Sequence, residues 1–312
     1  MNQTPADLNK IRLRELEERP SLVERGMLGR PWRPGGSLRD FLEGLPRVLA
    51  AEDLRAVVQA VVQARRSGRP VILAMGAHVI KVGLSPVVID AMQRGVLTAL
   101  VLNGAGMIHD VEMALAGRTS EDVAAALADG SFGTARQTGR FIARAVAEHG
   151  DQGLGAAVGR ALAESDAPFV ESSLLAACHR LGLPATVHVS LGADIIHMHP
   201  DFDPAAAGRA SHRDFRLLIT LVGGLKGGVY FNVGSAVVLP EVFLKALSAA
   251  RNLGHDAHHF TTVNLDMLRH YRPLTNVVHR PVLTGGRGIH ITGHHEINLP
   301  LILALVSEDL PD

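Results

Sequence analysis

Short runs of wholly apolar residues, each closing on a polar or glycine turn and each followed by an amphipathic stretch, recur along this chain and narrow its fold more than any other feature. Residues 70–75 (PVILAM) stop at Gly76, residues 96–102 (VLTALVL) stop at Asn103-Gly104-Ala105-Gly106, and residues 183–191 (LPATVHVSL) run into Gly192. A fourth run, GVYFN at 228–232, closes on Gly234-Ser235, and residues 258–263 look like a fifth strand. A strand that is apolar at successive positions has no face for water, so it belongs in a parallel sheet covered on both sides. The intervening stretches at 51–66, 85–94, 108–116, 171–182 and 241–251 carry helical spacing; Pro86 sits where a first turn tolerates proline, and Gly182 suits a C-cap. The expectation is α/β: a Rossmann-like parallel sheet with helices on both faces. Residues 51–312 are read as a single domain, and residues 1–50, with the turn Arg30-Pro31-Trp32-Arg33-Pro34-Gly35-Gly36, as an N-terminal arm.

Charge and cysteine content remove several classes of function. Lys+Arg 31 balances Asp+Glu 31 and no basic block stands out, which argues against a nucleic-acid or anionic-membrane surface. The single cysteine, Cys178, lies in an apolar helical stretch, where a buried inert thiol is expected and no disulfide framework is available. The polar start of the chain does not read as a signal peptide, and no run of 18 apolar residues occurs, so the expected setting is cytoplasmic.

In an open α/β sheet, ligands bind beyond the carboxyl ends of the strands, where loops meet helix N-termini. Here those ends read Gly76-Ala77-His78, Asn103-Gly104-Ala105-Gly106, Ser190-Leu191-Gly192-Ala193-Asp194, Asn232-Val233-Gly234-Ser235 and Thr261-Thr262-Val263-Asn264. Glycine there lets backbone N–H groups approach a phosphate or sugar, and it also serves any tight turn. Neither G-x-G-x-x-G after the first run nor G-x-x-x-x-G-K-[ST] is present.

With these loops in order, residues 50–306 resemble the deoxyhypusine synthase family, whose fold is a Rossmann-like sheet that binds NAD and assembles as a tetramer. The family's loop ending in Ile-x-x-Gly corresponds to Gly76-Ala77-His78-Val79-Ile80-Lys81-Val82-Gly83, and its Thr-Thr-Ala-Gly-Gly turn to Leu102-Asn103-Gly104-Ala105-Gly106. Leu191-Gly192-Ala193-Asp194 resembles its Leu-Gly-Asp run with one residue inserted, Gly234-Ser235-Ala236 its cofactor turn, and His294-His295-Glu296-Ile297-Asn298-Leu299-Pro300 its closing segment. The resemblance implies an NAD-like pocket formed by Ala77, His78, Asn103, Gly104, Gly106, His109, Gly234, Ala236, Thr262 and Asp266. It also implies a homotetramer acting on a small molecule.

The departures change the expected chemistry. The family's reaction needs a lysine that forms an imine, and the corresponding Asn276-Val277-Val278-His279-Arg280-Pro281 has none; Arg280 is no substitute, because guanidinium stays protonated. The family's active-site histidine falls on Pro240, and acidic positions fall near His109 and His188. Deoxyhypusine formation is therefore not expected.

Histidines are concentrated late. Of 16, none precedes His78 and 13 lie from His179 onward, against only four lysines: Lys10, Lys81, Lys226 and Lys245. In extended chain His197 and His199 point the same way, so they could ligate one divalent metal with Asp194 or Asp201, or line the pocket without metal. His258-His259 and His294-His295 place at most one ring each toward a common site. Ser211 is read as the cap of the helix FRLLITLV, with His212-Arg213 as an alternative anion site, and Glu241 as a helix-dipole partner. The leading expectation is an NAD-dependent oxidoreductase or transferase acting on a small polar substrate, with Asp194 orienting it and His197 or His199 as acid/base. A metal-dependent hydrolase or lyase and a non-catalytic nucleotide-binding protein are the alternatives.

Overall fold

A computed structural model describes residues 3–310. The chain divides into two compact units, Met1–Glu52 and Asp53–Asp312. The first contains isolated 3₁₀ turns at Leu8–Lys10, Leu16–Glu18 and Arg25–Met27, then α1 (Leu38–Gly44). Helix α1 starts where it does because Ser37 and Asp40 form a reciprocal capping box that satisfies two otherwise orphaned donors. The helix α2 (Leu49–Arg66) follows.

The second unit begins within α2 and continues with β1 (Val71–Met75), α3 (His78–Lys81), α4 (Ser85–Gln93), β2 (Ala99–Asn103) and α5 (Gly104–Ala116). Between β2 and β3 (Ala185–His188) lie α5, α6 (Val123–Asp129), α7 (Arg136–His149), α8 (Leu154–Ala163) and α9 (Leu174–Leu181). Then come α10 (Pro204–Gly223), β4 (Val229–Val233), α11 (Val238–Asn252), β5 (Phe260–Asp266), the short α12 (Tyr271–Pro273) with a π turn at Leu274–His279, β6 (Gly286–Thr292) and α13 (His295–Asp309).

All five strand pairings are parallel, and the sheet order is β3-β2-β1-β4-β5-β6. The chain winds outward from β1 in one direction, returns, and winds outward from β4 in the other. The order therefore reverses between β1 and β4, and in doubly wound sheets the loops that leave the two strands at this switch point bound the crevice where ligands bind. One face of the sheet packs Ile72, Ala74, Val101, Tyr230 and Phe260 against Leu218, Val222, Phe243, Leu247 and Val277. Tyr230 and Phe243 stack at 3.8 Å between ring centroids.

Several sequence boundaries shift. The second and third strands are shorter than the apolar runs, at Ala99–Asn103 and Ala185–His188, while the fifth runs later, to Asp266. An additional strand, β6, has polar and exposed positions because it is the sheet edge. Ser211 is no cap: it lies inside α10, which Asp203 caps, and its hydroxyl donates to Val187 O at 2.9 Å, tying the helix to β3.

Candidate functional site

The crevice is built from backbone before side chains. Gly76 N–H donates to Val233 O at 2.9 Å and Gly234 N–H to Leu265 O at 3.1 Å, so the ladder climbs one step past the ends of β1 and β4. A Cβ on Gly76 would run into the carbonyl of Gly234. The two loops meet glycine against glycine, and Gly234 additionally adopts φ +65°, a left-handed conformation that favours glycine.

Above this floor stand His78, at the start of α3, and His295, at the start of α13, with ring centroids 5.6 Å apart and planes inclined by 69°. His295 is 1% exposed, and its Nδ1 is buried with no hydrogen-bond partner. A Cβ on Gly234 would lie 2.6 Å from its Nε2, so the absent side chain is what admits the ring. Burial pushes the His295 imidazole below its ordinary range, the nearby Asp266 carboxylate opposes the shift and His78 adds to it. Asp266 itself ends β5, with His270 Nε2 3.9 Å away. His294 is exposed beside Glu296, so one ring of the His294-His295 pair turns inward, at a helix start instead of in a strand.

A polar ladder crosses the sheet one layer below. Asn232, Asn264 and His290 are register partners on β4, β5 and β6. Asn232 Nδ2 donates to Asn264 Oδ1 at 2.7 Å and to Ser235 O at 3.0 Å, holding the turn that carries Gly234. Asn264 Nδ2 lies 2.8 Å from His290 Nδ1, whose other nitrogen meets Thr292 Oγ1 at 3.0 Å. Since Asn264 must donate there, His290 carries its proton on Nε2.

The remaining expected residues separate into two groups. Ala77 and Ala236 stand in the crevice loops with His78 and Gly234. Thr262 does not: it lies mid-strand, fully buried, with its hydroxyl donating to Val277 O at 2.7 Å. At the end of β2, Asn103 caps α5 by accepting from Gly106 N–H at 2.8 Å, and a Cβ on Gly104 would overlap the Asp194 carboxylate. The N-terminus of α5 is thus covered by an anion of the chain itself, which disfavours a phosphate there. Burial raises the Asp194 pKa, opposed by the hydrogen bond from Ser190 N–H at 2.7 Å. His109 lies one turn further along α5 and contacts Thr119 Oγ1 at 2.5 Å, with Glu112 completing a closed network.

His197 and His199 do not sit in extended chain; a 3₁₀ turn, Ile195–Met198, separates their directions. His197 Nδ1 accepts from Gly192 N–H at 3.2 Å and its ring meets Phe202 edge-on at 4.9 Å. His199 fills a notch where Gly139 has no side chain and reaches Gly133 O at 3.2 Å. Among the described residues no group of three His, Cys, Asp or Glu is placed to hold a metal ion. Nor is any helix among them long and apolar enough to cross a membrane.

Strand order and crevice define a doubly wound α/β protein of the Rossmann type. No family model and no curated protein sequence matches the chain. Solved structures do, at the level of the fold. AgrE, in a ternary complex with ornithine and NAD+, superposes with a TM-score of 0.53 at 14% identity over 86% of this chain and 34% of that one. The cyanobacterial arginine dihydrolase ArgZ gives 0.51 at 17% over 85% and 34%, so this chain spans about a third of those two proteins. A putative deoxyhypusine synthase from Entamoeba histolytica gives 0.50 at 8% over 89% of this chain and 95% of that one.

Proposed function

We propose that the protein is an NAD-binding enzyme whose dinucleotide lies across the β1/β4 crevice. The observation that carries this is the close meeting of Gly76 and Gly234 at the point where the sheet order reverses. The N–H groups of Gly76 and Gly234 are used by the sheet ladder, so the donors offered to a pyrophosphate are those of the residues that follow, Ala77 and His78 on one loop and Ser235 and Ala236 on the other. The residues that would hold the cofactor are Gly76, Ala77 and His78 from one loop and Gly234, Ser235 and Ala236 from the other, and the unpartnered Nδ1 of His295 is a polar atom that a ligand group would satisfy. When bound, the nicotinamide supplies a hydride acceptor or donor. The chain supplies orientation, exclusion of water and proton movement.

The Asp194 segment supports a small substrate on the β2 side of the crevice. Asp194 has its carboxylate over Gly104 with no lysine or arginine bound to it, so it is available to a donor group such as an amine or hydroxyl. His197 and His199 become supports of that segment in this reading. Mass spectrometry of small molecules released on denaturation, followed by calorimetry with NAD+, tests the assignment. Recovery of NAD or micromolar binding is expected; absence of both removes the proposal.

A further inference from the structure

We propose that His78 and His295 are the acid–base pair of the crevice: His78 exchanges a proton with the bound substrate, and His295 is the positioning residue that sets the orientation and charge of that imidazole. The inference rests on the dinucleotide reading above and adds to it the groups that move protons.

Three observations converge on the pair. The rings come from helix starts 217 residues apart in sequence (295 minus 78) and meet at 5.6 Å only because Gly234 leaves the space that His295 occupies. His295 is 1% exposed with Nδ1 unpartnered, an arrangement that packing alone does not favour, since an apolar ring would fill the same space without stranding a polar atom. His78, in contrast, is half-buried and lies where a ligand in the crevice would touch it.

Other candidates for the proton are engaged elsewhere. Lys226 pairs with Asp256 and Lys245 with Glu241, while Lys81 is exposed at the end of α3. His199 is bound in the Gly139 notch and His109 in the Thr119 network. Imidazole is the side chain best matched to proton transfer near neutral pH. The charged and titratable groups facing His295 are Asp266 from β5, His78 from α3, and His294 and Glu296 from its own helix start. In the step itself the proton leaves a hydroxyl or ammonium group of the substrate, arrives on a His78 ring nitrogen and passes to solvent. These two residues exchange no electrons.

The test uses the full chain labelled with ¹³C at histidine Cε1, titrated by NMR from pH 5 to 9. Signals are assigned with His78→Gln and His295→Gln, and exposed His212→Gln serves as control. The proposal expects His78→Gln to raise the His295 midpoint by about half a pH unit or more, because a like charge has been removed, while His212→Gln leaves it unchanged. Saturating NAD+ is expected to move the His78 midpoint by a similar amount. An unaltered His295 midpoint in His78→Gln overturns the pair. NAD+ that binds by calorimetry without moving the His78 titration overturns its contact with the ligand. If NAD+ does not bind at all, the dinucleotide reading fails, and the coupling seen without ligand still decides whether the two imidazoles act together. Only His78, half-buried, needs a folded variant for the decisive comparison.

Discussion

The carboxylate of Asp194 occupies the space that a side chain at Gly104 would fill. The contact joins a loop after β3 to the first residue of α5, and it is one of three such fits: Gly133 makes room for Ile195 and Met198, and Gly139 for His199. Glycines spread over 36 positions of sequence (139 minus 103) thus seat the single segment 190–199 beside the crevice.

Gly104→Ala should therefore displace Asp194 and leave the fold intact. The overlapping atoms are the far end of a flexible side chain, so the expected loss is under about 1 kcal/mol, or roughly 3 °C in Tm. Ser190 N–H would lose its acceptor. Hydrogen exchange should show faster exchange in residues 190–199 with the sheet unchanged; protection equal to the wild type would show that the carboxylate does not anchor the segment.

Tyr230 offers a gain in stability. Its ring stacks on Phe243, which in turn meets Phe260 edge-on, while its hydroxyl is buried without a partner. An unsatisfied buried hydroxyl costs about 1–3 kcal/mol. Tyr230→Phe keeps the stack and removes the orphan, so its urea midpoint should rise at unchanged slope. A lower midpoint would reveal a partner for the hydroxyl.

Asp214 should make stability fall with rising pH. Its Oδ2 accepts from Gly155 N–H at 2.8 Å and Val187 N–H at 2.7 Å, tying α10 to α8 and β3, but Oδ1 is buried and unpaired. Burial pushes its pKa up to about 7, against those hydrogen bonds. The folded chain then holds a proton that the unfolded chain, with a pKa near 3.9, has released. Stability from this group is fully present below about pH 4 and is lost as pH rises through 7, with a slope approaching about 1.4 kcal/mol per unit. Asp214→Asn removes the proton and keeps one acceptor oxygen. The wild-type minus variant difference in unfolding free energy, measured from pH 4 to 8, should decline across that window; a flat difference would place the charge elsewhere.

What sequence could and could not reveal follows from where polarity is buried. β1, β2 and β4 are legible because their runs are apolar and their ends carry glycine. β5 ends later than its apolar run because Asn264 is satisfied sideways, by Asn232 and His290, and so stays inside a sheet whose interior a linear reading takes to be apolar. That is why Thr262 was expected at a strand end and lies in mid-strand. β6 contains Gly286, Arg287, Gly288 and His290, which break the pattern of a core strand, and an edge strand has one side free to carry them. His78 and Gly234 are visible as strand-end residues, and Asp266 enters only through the family resemblance. His295 was not, because the adjacent His294-His295 pair reads as a strand, and only tertiary packing shows that one ring enters the space above Gly234.

The crevice floor yields the sharpest mutational contrast. Gly76→Ala places a methyl against the Gly234 carbonyl, and backbone, unlike a carboxylate tip, has nowhere to turn. The β1 and β4 loops must separate, which should lower stability by roughly 2–3 kcal/mol and abolish NAD+ binding measured by calorimetry. Gly208→Ala is the matched substitution: it lies inside α10 with no atom within 4 Å of the added carbon, so helix propensity alone acts and stability should rise by about 0.5–1 kcal/mol. Because instability could itself weaken binding, NAD+ titrations belong at a temperature where both variants remain folded by circular dichroism. Under that condition Gly208→Ala should bind as the wild type does and Gly76→Ala should not. Equal binding by both would show that the approach of Gly76 to Gly234 serves strand packing alone, and the dinucleotide would have to lie elsewhere along the carboxyl ends of the sheet.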